Sequence, residues 1–359
     1  MILQKEIGVE GIVLTWFTSF LQNRTLKVKI GDQYSLESLL LYGVPQGSVL
    51  APPLFNIYIR SLKKQVEPSR FSLFGFADDH QLIKVFLPML QAAALCGDIQ
   101  HCFNLITTWM NKYFLKLNSD KTKILVIIPP SITNISIGGT FIDGKCIRFV
   151  HHAKNLGIIL DDELQFTQQV MKVVQSCFHV IRNLSKIKSF LSYEQLRTCV
   201  SIYIFSKLDY CNALYFGISS CLVKKLQSVQ NSAARLLRKK KGFNTISTND
   251  IFLKCHWLPV RERIVFKICL LVHKCLLHQA PQSLCEMTRY CVSERTLKLE
   301  ESRSHTVHGD RAFAHCGPKL WNLLPASVRE ETSTPTFKTK LKSFLITTGE
   351  LFHQKINER

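Results

Sequence analysis

The sequence predicts an α+β fold, with an N-terminal region that mixes short β-rich runs and helices and a remainder that is mostly helical. Three observations predict it. Up to about Leu160 the apolar residues fall in short runs, as in Phe71–Val85, whose two β-rich halves flank Asp78–Asp79. After a turn at Asp161–Asp162, Phe166, Val170, Val173, Cys177, Ile181 and Leu184 recur at steps of three and four, the spacing of a buried helical face. Of the 359 residues, 46% are apolar, enough to fill real cores rather than leave the chain disordered.

Taken in order, Gly43–Leu50 reads as a glycine-bearing loop that leads into a helix-like run through Ile57 and Tyr58. Ser48 is placed to cap that helix, leaving free amide hydrogens to face a phosphate or a template backbone. Phe71–Val85 follows as a hairpin with its carboxylates at the tip. Ile99, Phe103, Ile106 and Met110 then mark the apolar face of a helix. Beyond Asp162, a second set (Leu222, Leu226, Val229, Ala233, Leu236) ends in Arg238–Lys241, a basic run expected to close its helix and face solvent. A loop is expected from Gly242, a helix over Arg261–Leu277 and a polar, charged stretch near Arg289–His308. Gly309–Leu345, with Trp321 and Phe337, should pack as a small helical cap.

Lysine and arginine total 46 against 26 acidic residues, a formal charge of +20. Such a surface suits a polyanionic partner, although charge names a partner class and not a reaction. The 13 cysteines are scattered through apolar segments, which suits reduced, buried thiols better than a disulfide framework. Cys255, His256, Cys269, His273, Cys275 and His278 invite a zinc site, but no Cys-x-x-Cys pair occurs there and core packing in a helix accounts for Cys269, His273 and Cys275. No secretory signal pattern follows Met1, and the longest apolar stretches are broken by prolines or charges. The expectation is an intracellular protein, cytoplasmic or nuclear, with no membrane partner.

Two features carry chemistry. Adjacent Asp78 and Asp79 between two strands repel each other unless cations sit there, and magnesium is the hard, oxygen-loving solution. Nucleotidyl transfer uses two such ions about 4 Å apart. A plain polar turn would have the same sequence. In Gly43-Val44-Pro45-Gln46-Gly47-Ser48-Val49-Leu50, the glycines let backbone approach a ligand closely, although a tight turn before a helix reads no differently.

In this order and separation, GVPQGSVL and FADD resemble the palm of reverse transcriptases, specifically those of non-LTR (LINE-type, jockey-like) retrotransposons. The resemblance implies an RNA-directed DNA polymerase that acts on an RNA template, a DNA primer and deoxynucleoside triphosphates with magnesium. It implies that Asp78 and Asp79 hold metal, and that Gln46 and Gly47 lie against nucleotide and template within a loop of Gly43, Pro45 and Ser48. Phe76 fills the aromatic position before Ala-Asp-Asp. Trp109–Lys123 resembles the connection that follows the aspartate hairpin, with Lys121 where a lysine approaches the nucleotide phosphates. Asn155-Leu156-Gly157-Ile158 resembles the hairpin that grips the primer end, which gives Leu156 and Gly157 that role. Further resemblances around Lys207–Asn212, Leu226–Asn231, His256–Val260 and Pro318–Asn322 extend the match over nearly the whole chain, with Tyr210, Trp257 and Trp321 read as core anchors. The implied domains are a partial palm over 1–160, a thumb-like helical region over 161–241 and a C-terminal helical region over 242–359.

The family also has a third metal-binding aspartate ahead of the segment resembling Trp16–Arg24, and no residue here matches it. Fingers and endonuclease would lie upstream as well. The expectation is therefore a truncated chain that is inactive alone, with a non-catalytic nucleic-acid binder or an unselected remnant as alternatives. Ala51 stands where the family favours glycine, Pro53 where it favours leucine, and His80 follows the aspartates.

Overall fold

The computed structural model describes residues 2–128, 140–142, 144–240, 252–288, 297–302, 304 and 306–357. It divides into two compact units, Met1–Leu156 and Gly157–Arg359. Helices dominate, and the described strands pair only in small antiparallel ladders.

The first unit opens with α1 (Ile2–Ile7) and α2 (Gly11–Leu21). Two short ladders follow, β1 (Thr25–Leu26) with β4 (Ser38–Leu39) and β2 (Lys29–Ile30) with β3 (Gln33–Tyr34). Next come α3 (Ala51–Val66), the hairpin β5 (Ser72–Phe76) and β6 (Asp79–Ile83), and the long α4 (Pro88–Lys112). The pair β7 (Thr140–Ile142) and β8 (Lys145–Ile147) and then β9 (His152–Asn155) complete it. Its core is built on α4, where Ile99, Phe103 and Ile106 are buried at the spacing read from the sequence and Met110 packs at the edge. Leu62 and Val66 of α3 and Ile142 and Ile147 of β7 and β8 close that core. The Trp109 indole donates to Ser61 Oγ at 3.1 Å, which ties α4 to α3 without leaving a buried N–H unpaired.

The second unit starts with β10 (Ile158–Asp161). Buried Asp161 accepts hydrogen bonds from the amides of Gln165 at 2.7 Å and Phe166 at 2.6 Å, which turns the chain into α5 (Thr167–Ile187). Then come α6 (Tyr193–Val200), entered through a Ser192–Gln195 capping box, α7 (Ser206–Asp209), α8 (Ser220–Lys240) and α9 (Val260–Leu276). The rest comprises α10 (Gln282–Cys285), α11 (Val307–Arg311), α12 (Phe313–Asn322), α13 (Ala326–Arg329) and α14 (Thr334–Asn357). One core runs through all the longer helices, with Val170, Leu226, Cys269, Trp321 and Phe337 in a single cluster. The segment Gly309–Leu345 is helical as expected and shares this core, since the rings of Trp321 and Phe337 lie 5.7 Å apart inside it.

Trp257 and Trp321 are core anchors, as read from the sequence, but Tyr210 is not, with about half its surface (51%) exposed. Cys255, Cys269, His273 and Cys275 are buried while His256 and His278 are exposed, so the six potential zinc ligands do not converge. His273 stacks on Phe337 at 4.0 Å, and Nε2 donates to the Glu331 carbonyl at 2.9 Å. No helix among the described residues is long and apolar enough to cross a membrane. The side chains of the basic run Arg238–Lys241, the start of the loop expected from Gly242 and much of the polar stretch near 289–308 lie outside the described residues.

Candidate functional site

The β5–β6 hairpin pairs Ser72 with Ile83, Leu73 with Leu82, Phe74 with Gln81 and Phe76 with Asp79, leaving Ala77–Asp78 as a two-residue turn. A turn this tight requires a positive φ at its first position, and Ala77 adopts +53°. His80 Nδ1 donates to the Asp78 carbonyl at 3.1 Å and braces the turn from behind. The alternation of strand side chains sorts the two faces. Leu73 and Leu82 pack on the core, whereas Phe74, Phe76 and Asp79 face outward and are exposed. Asp78 is exposed as well, so both carboxylates stand in solvent at the hairpin tip, as the sequence predicts.

The loop ahead of α3 is a turn in which the Ser48 amide and the Ser48 hydroxyl both donate to the Pro45 carbonyl, at 3.2 and 2.8 Å. Gly43 and Gly47 have φ of +85° and +84°, the left-handed region that a side chain would penalise. Nothing lies within 4 Å of where a Cβ would sit on either, so both backbone faces are open to a ligand. The expected Ser48 cap is not formed. Leu50 is the N-cap, and the Ser48 hydroxyl is occupied within its own turn. The expected free helix amides are absent too: the Ala51 amide donates to Ser48, Leu54 donates to Leu50, and Pro52 and Pro53 between them have no N–H. Pro53 therefore removes no helical hydrogen bond, because the first-turn amides have no partner within the helix in any case.

Sequence reasoning missed what holds this loop. Arg24 Nη2 donates to the Gly43 carbonyl at 2.6 Å, and Arg24 Nε donates to the Leu21 carbonyl at 3.0 Å. Next to Gly43, the Tyr42 ring stacks on Phe114, with centroids 4.2 Å apart and planes 23° from parallel. These contacts span 19 and 72 residues of chain, and no local pattern announces them.

Lys121 is exposed at the turn that Asn118 closes, its amide donating to the Asn118 carbonyl at 3.2 Å. Leu156 and Gly157 form the turn between β9 and β10, at φ of 44° and 87°. A Cβ on Gly157 would lie 3.6 Å from the Tyr210 ring, which is where that half-exposed tyrosine packs. Asn155, just ahead of this turn, donates from Nδ2 to Gln81 Oε1 at 2.9 Å and so meets the outward face of the aspartate hairpin. No hydrogen bond or ion pair joins the 43–48 loop to the hairpin among the described residues.

Two exposed carboxylates are hard oxygen donors suited to magnesium. Among the described residues, however, no group of three His, Cys, Asp or Glu side chains could hold a metal ion. Asp78 and Asp79 supply two of the oxygen donors that such an ion needs.

Residues 5–160 match the family model described as reverse transcriptase (RNA-dependent DNA polymerase). That stretch is similar to reverse transcriptase domains. The chain is 26% identical over 240 residues to a probable RNA-directed DNA polymerase from transposon BS of Drosophila melanogaster, covering 61% of this chain and 25% of that protein. It is 23% identical over 232 residues to the RNA-directed DNA polymerase of the mobile element jockey of the same fly, covering 62% and 24%. A third relative, a probable RNA-directed DNA polymerase from transposon X-element, is 25% identical over 255 residues, covering 66% and 26%. The chain thus spans about a quarter of the length of the relatives it matches. No solved structure matches it. Both the Asp78–Asp79 hairpin and the 43–48 loop fall inside the matched residues.

Proposed function

We propose that the chain contributes the palm and downstream helical regions of an RNA-directed DNA polymerase of a non-LTR retrotransposon. In this reading 1–160 is part of the palm, 161–241 a thumb-like region and 242–359 the C-terminal helical region. The observation that carries it is the adjacent pair Asp78–Asp79, exposed at the tip of the β5–β6 hairpin within the family match. Asp78 and Asp79 would hold magnesium together with a further carboxylate. Gln46 and Gly47, in the loop of Gly43, Pro45 and Ser48, would contact nucleotide and template. Phe76 would border the nucleotide, Lys121 would meet its phosphates, and Leu156 and Gly157 would support the primer end. RNA template, DNA primer and deoxynucleoside triphosphates are the partners this implies.

With two carboxylates and no third beside them among the described residues, the isolated chain should not polymerise. The test is primer extension on an RNA template with magnesium, alongside template–primer binding. Binding without extension is the expected result. Extension that Asp78→Ala abolishes would overturn the inactivity, and failure to bind template–primer even at low salt would overturn the polymerase reading. The +20 charge favours a second reading, nucleic-acid binding with no chemistry.

A further inference from the structure

We propose that Tyr42 and Phe114 form a stacking platform for a base of single-stranded nucleic acid beside the glycine loop. Both residues remain more than half exposed, 55% and 64%, although their rings stack on each other. Burial of large aromatic rings is a main source of core stability, so a stacked pair left open to water offers a free π-face. Phe114 is held there at a cost, because its φ of 53° lies in the left-handed region. That conformation disfavours a side-chain-bearing residue by about 1 kcal/mol or more.

The surroundings select the partner. From Phe114 to Asn118 burial alternates, with Leu115 and Leu117 packed on the core and Phe114, Lys116 and Asn118 exposed. Lys116 lies two residues beyond Phe114 and is exposed as Phe114 is. Lys112, Lys121 and Lys123 are exposed nearby in sequence, while Asp120 is engaged by Lys145. Lysine is depleted from the centres of protein–protein interfaces but suits a phosphate backbone. Aromatic faces rimmed by lysines are the combination that grips single strands with little regard to sequence, because every base has a π-face. On the other side Tyr42 adjoins Gly43, whose carbonyl Arg24 fixes, so a stacked base would lie next to the open loop backbone.

This inference rests on the nucleic-acid reading above, and its test separates the two. The full chain is titrated into fluorescein-labelled oligouridylate and its deoxy counterpart, about a dozen nucleotides long, and binding is followed by anisotropy over a range of salt. Phe114→Ala should weaken binding about 5- to 100-fold with the salt slope unchanged, and equally for RNA and DNA, since a base face and not a sugar is lost. Phe114→Leu keeps the apolar bulk and should lose nearly as much, which guards against an alanine variant that fails to fold. Phe114→Trp should bind at least as well as wild type, and Lys116→Ala should reduce the salt slope by about one. If Phe114→Leu binds like wild type while wild type binds oligonucleotide, the platform is wrong and the nucleic-acid reading stands. If wild type binds neither oligonucleotide, both fall. If Phe114→Leu leaves binding intact but abolishes self-association in sedimentation, the surface is a protein contact and the platform is overturned.

Discussion

Arg24 and Gly43 are joined by a 2.6 Å hydrogen bond from a guanidinium to a carbonyl, and the same guanidinium holds the last turn of α2 through Leu21. Arginine meets the two carbonyls from two different nitrogens of a rigid fork, a spread that a lysine ammonium, with all its N–H groups on one atom, matches less well. Arg24→Ala should therefore loosen the 43–48 turn. Amide hydrogen exchange across Gly43–Ser48 should speed up selectively, with a stability loss of about 1–2 kcal/mol. Arg24→Lys should recover only part of this. Unchanged protection of those amides in Arg24→Ala would show that the loop holds itself.

The left-handed Ala77 at the tip of the aspartate hairpin calls for the opposite change. Glycine adopts φ near +53° without the Cβ clash, so Ala77→Gly should stabilise the first unit by up to ~1 kcal/mol, the relief of strain exceeding the entropy gained by the unfolded chain. The urea midpoint measures it. A clear loss would mean that Ala77 makes a contact worth more than its strain.

His273 should make stability fall in mild acid. Burial lowers its pKa from the ordinary 6.5, only partly opposed by the hydrogen bond to the Glu331 carbonyl and the charge of Glu331. With Nε2 donating to that carbonyl, the proton would have to go to Nδ1, which is buried with no partner. The folded state thus resists a proton that the unfolded chain accepts, so the stability contribution is full above pH of about 6.5 and declines as pH falls from there toward the depressed folded value. Melting temperatures of wild type and His273→Gln between neutral and mildly acidic pH should diverge in slope, with wild type the steeper. Parallel slopes would assign the acid sensitivity to other groups.

Asp209 accepts from Arg263 in a two-pronged ion pair, with Nε to Oδ1 at 2.8 Å and Nη2 to Oδ2, and the Arg263 guanidinium also lies 4.6 Å over the Phe205 ring. The Arg263 side chain is only 15% exposed and Asp209 is 37% exposed, so part of the attraction is screened. Asp209→Ala should still lower stability by about 1–2 kcal/mol, because it leaves a largely buried cation unpaired. Asp209→Ala combined with Arg263→Met should cost less than Asp209→Ala alone. A double variant worse than either single one would refute an explanation by charge.

The helices after Asp162 were legible because their cores are written in local spacing, with Val170, Cys177, Leu226 and Val229 buried where periodicity puts them. The aspartate hairpin was legible too, since two β-rich apolar runs flanking Asp78–Asp79 are a short-range signal. Tyr210 was misread because an aromatic residue has the same sequence signature whether it fills a core or covers a glycine turn, here Gly157. Ser48 was misread because its hydroxyl could either accept from a helix amide or donate to the Pro45 carbonyl, and the turn won. Arg24 and the Tyr42–Phe114 stack act across chain separations that no pattern in one sequence encodes.

The consecutive prolines at the second and third positions of α3 also work as a ratchet stop. Were the helix to grow upstream by a turn, Pro52 and Pro53 would become interior residues, each forfeiting a backbone bond and pressing its ring on the carbonyl four residues back, about 3 kcal/mol apiece. Any reshaping around a bound molecule must then come from rotation at Gly43 and Gly47 and not from coil-to-helix conversion, which confines induced fit to a hinge of a few residues.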